Sequence, residues 1–483
     1  MSNQKANEYL DDYNERLEAA EAMLPIVGKL WRNQGIPTYL YGVPLHLKGP
    51  IEILKAHRSA RHLARRELSA VDTLQAVEAV AELELKPARI DLGKLVVAYG
   101  ETEQSSSLAD FVQAQLQALP QGNRPMRDQP LDVVLYGFGR IGRLLARLLI
   151  ERMGGGERFR LRAIVTRPGG PNDLAKRADL LRRDSVHGPF RGTITLDHEQ
   201  RAMVINGNLV HLIEASSPET ADYARYGIEN AVVIDNTGIW RDREGLGKHL
   251  AATGAERVIL TAPAKGDIPN IVFGINHEQV GDEESILSAA SCTTNAIAPV
   301  LQAVHAEFGI LSGHMQSVHA YTNDQNLIDN FHKKERRGRA AAMNMVITET
   351  GAAKAVAKVC PQLAGKLTAN AIRVPTPNVS MAIITLELEQ ATNKETLNAY
   401  LRNLSLEGSL QYQIDYTTST DIVSTDLVGN RHASIVDSHA TLVHDSGRQC
   451  TLYVWYDNEF GYACQVTRLL EHIAHVRPPF FPA

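Results

Sequence analysis

The chain has 483 residues, 44% hydrophobic and 22% charged, with a formal net charge of −5. That length and composition suit a soluble protein of two or three cored domains, and the mild negative charge points away from nucleic acid and anionic membranes. No apolar run reaches the roughly 18 residues that span a bilayer, and four cysteines without paired spacing form neither a disulfide framework nor a metal site. The polar, acidic start "MSNQKANEYLDDYNERLE" is not that of a signal peptide, so a reducing cytoplasm is the expected location.

Residues 1–128 are expected to form a mostly helical extension. Tyr13, Leu17, Ala20 and Leu24 recur at helical spacing, as do Val71, Leu74, Val77, Ala81 and Leu85. "SSSLADFVQAQLQALP" opens on a serine cap and stops at Pro120. Between them "KAHRSARHLARREL" sets Arg58, Arg61, His62 and Arg65 on one helical face. Such a face can contact phosphates, but a solvated, salt-bridged surface is the commoner reading. "PQGNRPMRDQP" (120 to 130) reads as a linker.

The pattern then changes. Short apolar runs such as "LDVVLYG", "RLRAIVT", "NAVVIDNTG" and "RVILTAP" alternate with helical stretches, as in βαβ units around a parallel sheet. The first run leads into Gly137-x-Gly139-x-x-Gly142 and an amphipathic helix. In that setting the first glycine allows the turn, the second admits a pyrophosphate and the third packs helix on strand. The expected fold class is α/β, with a Rossmann-type dinucleotide-binding domain over 129–291. From 292 to 457 the runs lengthen and alternate ("MAIITLELE", "QCTLYVWYDNE"), which predicts an α+β domain with a mixed or antiparallel sheet. Residues 458–483 are expected to supply a helix that completes the first domain.

Four features carry candidate chemistry. Cys292 in "SAASCTTNAIAP" is flanked by hydroxyls and stands at a helix start. A free thiol is usually a small buried hydrophobe, yet a helix N-terminus stabilises a thiolate. His319 in "SVHAYTNDQ" is either a general base or a packed histidine. Thr350 and Gly351 in "ETGAAKAVAKV" present N–H groups to an anion or simply cap their helix. Arg373 in "TANAIRVPTPNVSM" can pair with a phosphate or sit in a surface ion pair.

Together, "GFGRIGR", "DNTG", "TAPAKGDIPNIVFGINHE", "SCTTN", "HAYTNDQ", "TGAAKAV", "IRVPTPNVS" and "WYDNEFGY" resemble, in order and spacing, the phosphorylating glyceraldehyde-3-phosphate dehydrogenase family. The likeness runs from about 131 to 475, and the related erythrose-4-phosphate dehydrogenases share most of these motifs. It implies an enzyme with Cys292 as nucleophile and His319 as its base, a phosphorylated aldehyde and inorganic phosphate as substrates, and NAD or NADP as cofactor. It puts Gly137, Phe138, Gly139, Arg140, Ile141, Gly142, Thr237, Thr261 and Asn458 at the cofactor. Ser291, Thr293, Thr350 and Gly351 fall to the attacking phosphate, and Thr322 and Arg373 to the substrate's own. The segment 335–345 matches a loop that crosses subunit interfaces, which implies a homotetramer, and Arg339 within it is expected to bind anions.

Three departures stand out. Ala296 replaces a frequent cysteine, without a catalytic consequence. The amino-terminal extension is foreign to the catalytic family and is expected to bind a partner or modulate assembly. Arg167 ends the second strand of the fold, where NAD-preferring members usually carry an acid; an arginine there accommodates a 2′-phosphate. The rival reading is a regulatory or RNA-associated scaffold on the same fold, but such a scaffold need not keep both Cys292 and His319.

Overall fold

The structure is a computed structural model that describes residues 2–103, 105–120, 122 and 126–482. Within the expected linker, positions 121 and 123–125 lie outside the described residues. The chain forms two compact units, one of residues 1–130, 151–159 and 475–483, the other of 131–150 and 160–474.

The first unit is mostly helical, as its periodicity predicts. It contains α1 (Ser2–Gln34), β1 (Thr38–Leu40), β2 (Val43–Pro44), α2 (Pro50–Ala64), α3 (Ala70–Ala81), β3 (Arg89–Asp91), α4 (Leu92–Tyr99) and α5 (Leu108–Leu116). Ser107 caps α5 by accepting from Asp110 N–H at 3.1 Å, as the serine run suggests. The helices close on a core that includes Ala20, Met23, Val77, Val80, Leu95 and Val112. Tyr13, expected on the inner stripe of α1, is instead 42% exposed. Buried Asp91 accepts from the N–H groups of Tyr41, Gly42 and Lys94 at 3.0, 2.9 and 3.1 Å, tying the β1–β2 turn to the start of α4.

This unit also corrects the reading of the carboxyl terminus. Residues 458–483 do supply a helix, Phe460–Ile473 of the second unit, but residues 475–483 belong to this one. The chain's last strand, β20 (Phe480–Phe481), pairs parallel with β3 in the sheet β2-β1-β3-β20. Segment 151–159 joins the same unit, where Arg158 donates to the Val476 carbonyl at 3.0 Å. Two phenylalanines between prolines give no alternation from which pairing so far along the chain can be read.

The second unit begins with β4 (Leu131–Tyr136), α6 (Arg140–Arg152), β5 (Phe159–Thr166), α7 (Asp173–Arg182), β6 (Ile194–Asp197), β7 (Ala202–Ile205), β8 (Asn208–Glu214), β9 (Ala231–Asp235), α8 (Arg243–Leu250), β10 (Ala255–Leu260) and β11 (Ile286–Ser288). Their sheet has the order β11-β10-β9-β4-β5-β8-β7-β6. From β11 to β4 the pairs are parallel, and β6, β7 and β8 pair antiparallel at the far edge. β4 and β9 are buried along nearly their whole length, which is why they read as continuous apolar runs.

The remainder is α9 (Cys292–Phe308), β12 (Ile310–Ala320), β13 (Val346–Thr348), α10 (Ala352–Val359), β14 (Leu367–Val374), β15 (Ser380–Leu388), α11 (Lys394–Leu406), β16 (Ile414–Thr417), β17 (Ser434–Asp437), β18 (Leu442–Val443), β19 (Gln449–Tyr456) and α12 (Phe460–Ile473). Its sheet is mixed, in the order β13-β14-β12-β15-β19-β17-β16, with β18 against β19. β15 alternates buried and open positions, the pattern of a strand with one face on a core. α9 supplies Ile297, Val300, Leu301 and Val304 to that core, each burial contributing about 1.5–3 kcal/mol before cavity effects.

Candidate active site

Three devices fix Cys292. The chain leaves β11 through Ala290, whose φ of +55° is a strained conformation for a residue with a Cβ. Tyr462 on α12 holds that bend by donating its hydroxyl to the Ala290 carbonyl at 2.9 Å. Ser291 then caps α9, its Oγ accepting from Thr294 N–H at 3.0 Å, so Cys292 is the first residue of the helix.

The partner comes from β12. His319 Nε2 lies 3.5 Å from Cys292 Sγ. Its Nδ1 donates to the Ala320 carbonyl at 2.7 Å, which leaves Nε2 as a lone pair facing the thiol. Burial, then the charge of Arg373, lowers the His319 pKa to about 3, so the ring is a neutral base. Burial also pushes the Cys292 thiol up, against the opposing pull of Arg373 and Thr293. Both charged forms lose solvation here, so burial favours the neutral thiol and the neutral imidazole.

Sheet register brings the anion groups to the same place. β12 and β14 pair parallel with His319 opposite Arg373. Arg373 Nη1 donates to Ala320 O at 3.0 Å and approaches Thr322 Oγ1 at 3.4 Å, while its buried Nε has no partner. An orphaned buried guanidinium donor calls for an acceptor. Beside it is a cavity of about 570 Å³ lined by Thr322 and Arg373 together with Arg337, Lys333, Lys334 and Lys265.

The glycine loop forms the third part. Gly137 has φ +94°. A Cβ on Gly142 would come within 2.4 Å of the Gly137 carbonyl, whereas one on Gly139 would meet nothing within 4 Å. Turn, open approach and tight helix packing are thus divided among the three as a dinucleotide site requires. Thr237 borders this loop, its methyl 2.9 Å from where a Gly137 Cβ would stand.

Comparison with known proteins agrees with this geometry. Residues 131–243 match the family described as "Glyceraldehyde 3-phosphate dehydrogenase, NAD binding domain", and residues 291–458 match its C-terminal domain. A glyceraldehyde-3-phosphate dehydrogenase-like protein of Pseudomonas aeruginosa is 56% identical over 462 residues, 95% of this chain and 100% of the relative. The glyceraldehyde-3-phosphate dehydrogenase of Zymomonas mobilis is 39% identical over 337 residues, 69% of this chain and 95% of its own. The chain belongs to the glyceraldehyde-3-phosphate dehydrogenase family. It is an NAD(P)-dependent oxidoreductase with the expected α/β class, and the Pseudomonas match extends into the amino-terminal unit.

In this dehydrogenase, Thr237 Oγ1 donates to Asp235 at 2.7 Å and Thr261 Oγ1 to the Asp235 carbonyl at 3.0 Å, so both residues cluster at the ends of β9 and β10. Phe138 is buried beside the glycine loop, and Ile141 lies half-buried in the first turn of α6. The Arg140 guanidinium is engaged by Glu459 at 2.5 Å and Asp184 at 3.1 Å. Asn458 is buried, its Oδ1 accepting from Ser380 Oγ at 2.8 Å while Ser380 in turn accepts from Ala320 N–H. That chain turns the Asn458 amide nitrogen outward as a donor. Arg167 is exposed at the end of β5, and Asp173, at the start of α7, is paired with Arg177 at 2.6 Å.

Thr350 Oγ1 accepts from the first N–H of α10, that of Ala352, at 3.2 Å, and Gly351, the N-cap residue, is exposed between them. Thr293 hydrogen-bonds Tyr456 at 3.1 Å. Arg339 does not join the anion groups. It is paired with Asp329 and its side chain is 64% exposed, whereas Arg337, two residues earlier, lines the cavity, where it pairs with Asp324, also in the lining, and reaches Thr348 at 3.1 Å. Sequence reading missed Arg337, Ser380 and Tyr456, whose hydroxyl bridges Thr293 and Ser317 beneath the His319 ring. Tyr456 and Ser380 stand inside the recognised motifs "WYDNEFGY" and "IRVPTPNVS", but only strand register gives them a role.

Proposed function

We propose that this chain oxidises glyceraldehyde 3-phosphate to 1,3-bisphosphoglycerate, reversibly, with inorganic phosphate as second substrate. The observation that carries the reading is the thiol–imidazole pair at 3.5 Å beside a buried arginine Nε without a partner. Arg373 and Thr322 hold the substrate's phosphate and so direct its aldehyde to Sγ. Sγ attacks the carbonyl carbon, and the thiol proton passes through His319 Nε2 to the aldehyde oxygen, giving a hemithioacetal. The Cys292 N–H at the start of α9 steadies the oxygen while it carries charge. The nicotinamide, when bound, supplies the hydride acceptor. His319 removes the hydroxyl proton as the C–H bond breaks, leaving a thioester on Cys292. Inorganic phosphate, received by Ser291, Thr293, Thr350 and Gly351, attacks that thioester; the acyl phosphate leaves, and His319 returns its proton to sulfur.

The glycine loop, Thr237, Thr261 and the outward amide of Asn458 hold the dinucleotide. Arg167 and the two glycines after it leave room for a 2′-phosphate, so NADP serves alongside NAD. Leu327, Ile328, Phe331, Met343 and Met345 are between 74% and 92% exposed, more apolar surface than a monomer keeps in one loop, which supports a homotetramer. All four cysteines are free thiols, in keeping with the cytoplasm. Steady-state rates with glyceraldehyde 3-phosphate and erythrose 4-phosphate, with each cofactor and with or without phosphate, test the proposal. A higher kcat/KM for erythrose 4-phosphate, or turnover indifferent to phosphate, refutes it.

A further inference from the structure

The amino-terminal unit has a cavity of its own, about 490 Å³, walled by α1, α2 and the start of α3. That is within the roughly 300–1,000 Å³ of small-molecule sites. One wall is cationic. Lys55, Arg58 and Arg61 recur every third residue along α2, and all three are exposed. None of them makes an ion pair or side-chain hydrogen bond with a described residue. Of the solvated, salt-bridged face expected from the sequence, Arg58 and Arg61 are solvated but without an ion pair to a described residue, and the His62 side chain lies outside the described residues. Arg16 adds a fourth cation, tied to Asp12, and Glu67 is the single carboxylate in the lining.

The other wall is apolar and aromatic. Tyr13 and Ile51 are 42% and 45% exposed into it, above half-buried Leu54 and buried Leu68. Also in the lining, His57 is a fixed part of the wall, its ring nitrogens bonded to Ile53 O at 2.8 Å and Thr73 Oγ1 at 3.0 Å.

We propose that this cavity binds a nucleoside phosphate, with its phosphates on Arg58 and Arg61 and its base against Tyr13 and Leu54. Guanidinium forks match phosphate oxygens, and three neighbouring cations repel one another until an anion arrives. Inorganic phosphate alone would leave the aromatic wall wet, and an apolar ligand would leave the cations without partners. A nucleic-acid strand needs a basic track with successive stacking rings, whereas the cations here line a single cavity with one tyrosine.

Calorimetric titration of the full chain with ATP, its dinucleotide site first saturated with NAD, tests this. One further site per chain is expected. Replacing Arg58→Gln and Arg61→Gln together should weaken it roughly a hundredfold or more. Tyr13→Ala should weaken ATP about fivefold or more and leave tripolyphosphate unaffected. These side chains are exposed, and unchanged thermal midpoint and dehydrogenase activity verify that the variants fold. The proposal is overturned by the absence of a second ATP site, or by binding that survives the arginine replacements. It is equally overturned if tripolyphosphate binds as well as ATP, or if a single-stranded oligonucleotide binds more tightly.

Discussion

Replacing Arg373 with alanine should separate substrates by whether they carry a phosphate. Arg373 Nη1 is held by the Ala320 carbonyl at 3.0 Å, so the unpartnered Nε and the Nη2 group are left to donate to an anion. One charge-assisted hydrogen bond contributes about 1.5–3 kcal/mol, so its loss lowers kcat/KM for glyceraldehyde 3-phosphate roughly ten- to a hundredfold. Unphosphorylated glyceraldehyde never made that bond and should lose little. A second signature comes through His319. After burial, Arg373 is the main cause of its low pKa of about 3, with Nη1 only 3.0 Å from Nδ1. Charges about 4 Å apart interact by about 1–4 kcal/mol between aqueous and protein-surface dielectrics, or about one to three pKa units. Without Arg373 the imidazole protonates at higher pH, and the acidic limb of the kcat/KM profile moves up by at least about one unit. Initial rates of reduced-cofactor formation, measured with both aldehydes from acidic to neutral pH, give both quantities. An equal loss for the two aldehydes, together with an unmoved acidic limb, would refute the reasoning.

Iodoacetamide should modify Cys292 first, since the other three cysteines are buried and burial pushes the thiols of Cys360 and Cys450 up to about 11; peptide mass spectrometry showing equal rates would contradict this. Cys292→Ser should abolish thioester formation, because an alkoxide is far scarcer than a thiolate at neutral pH; rapid-quench detection of an acyl-enzyme in that variant would count against it. Arg167→Ala should cut kcat/KM for NADP by roughly ten- to a hundredfold and spare NAD, and an enzyme indifferent to the change uses another residue. The buried His187 ring is held 3.0 Å from Asp457 and 3.6 Å from Asp184, whose hydrogen bonds outweigh burial and raise its pKa to about 9. A pKa above the unfolded value of 6.5 gives stability that is complete below 6.5 and lost as pH rises through 9, about 3 kcal/mol in all. The thermal midpoint of the wild type should therefore fall further from pH 6 to pH 9.5 than that of His187→Gln, and parallel falls would rule the effect out.

The sequence made the chemistry legible where chemistry and local backbone coincide. The glycine loop is one turn between a strand and a helix, and Cys292 is one helix start, so spacing alone exposes both. The meeting of Cys292, His319 and Arg373 was legible only through resemblance. His319 and Arg373 are 54 residues apart and meet through a parallel register that has no local signature. Only the resemblance of its loop pointed to Arg339 as an anion residue; that Arg337 lines the cavity instead depends on which side of a short turn each guanidinium leaves. The small sheet of the first unit was missed because strands of two or three residues are too short to show a period of two.

Pairing of β20 with β3 has a consequence for how the protein is made. Arg89 and Phe480 are register partners, yet 391 residues separate them along the chain. A ribosome makes β3 long before β20, so the β3 edge of the helical bundle stays bare throughout the synthesis of the dehydrogenase itself. An open strand edge invites foreign pairing, and this one is closed only once Phe480 and Phe481 arrive. A chain cut between α12 and β20 would carry every catalytic group and still present that edge, so β20 guards the first unit's sheet as well as extending it.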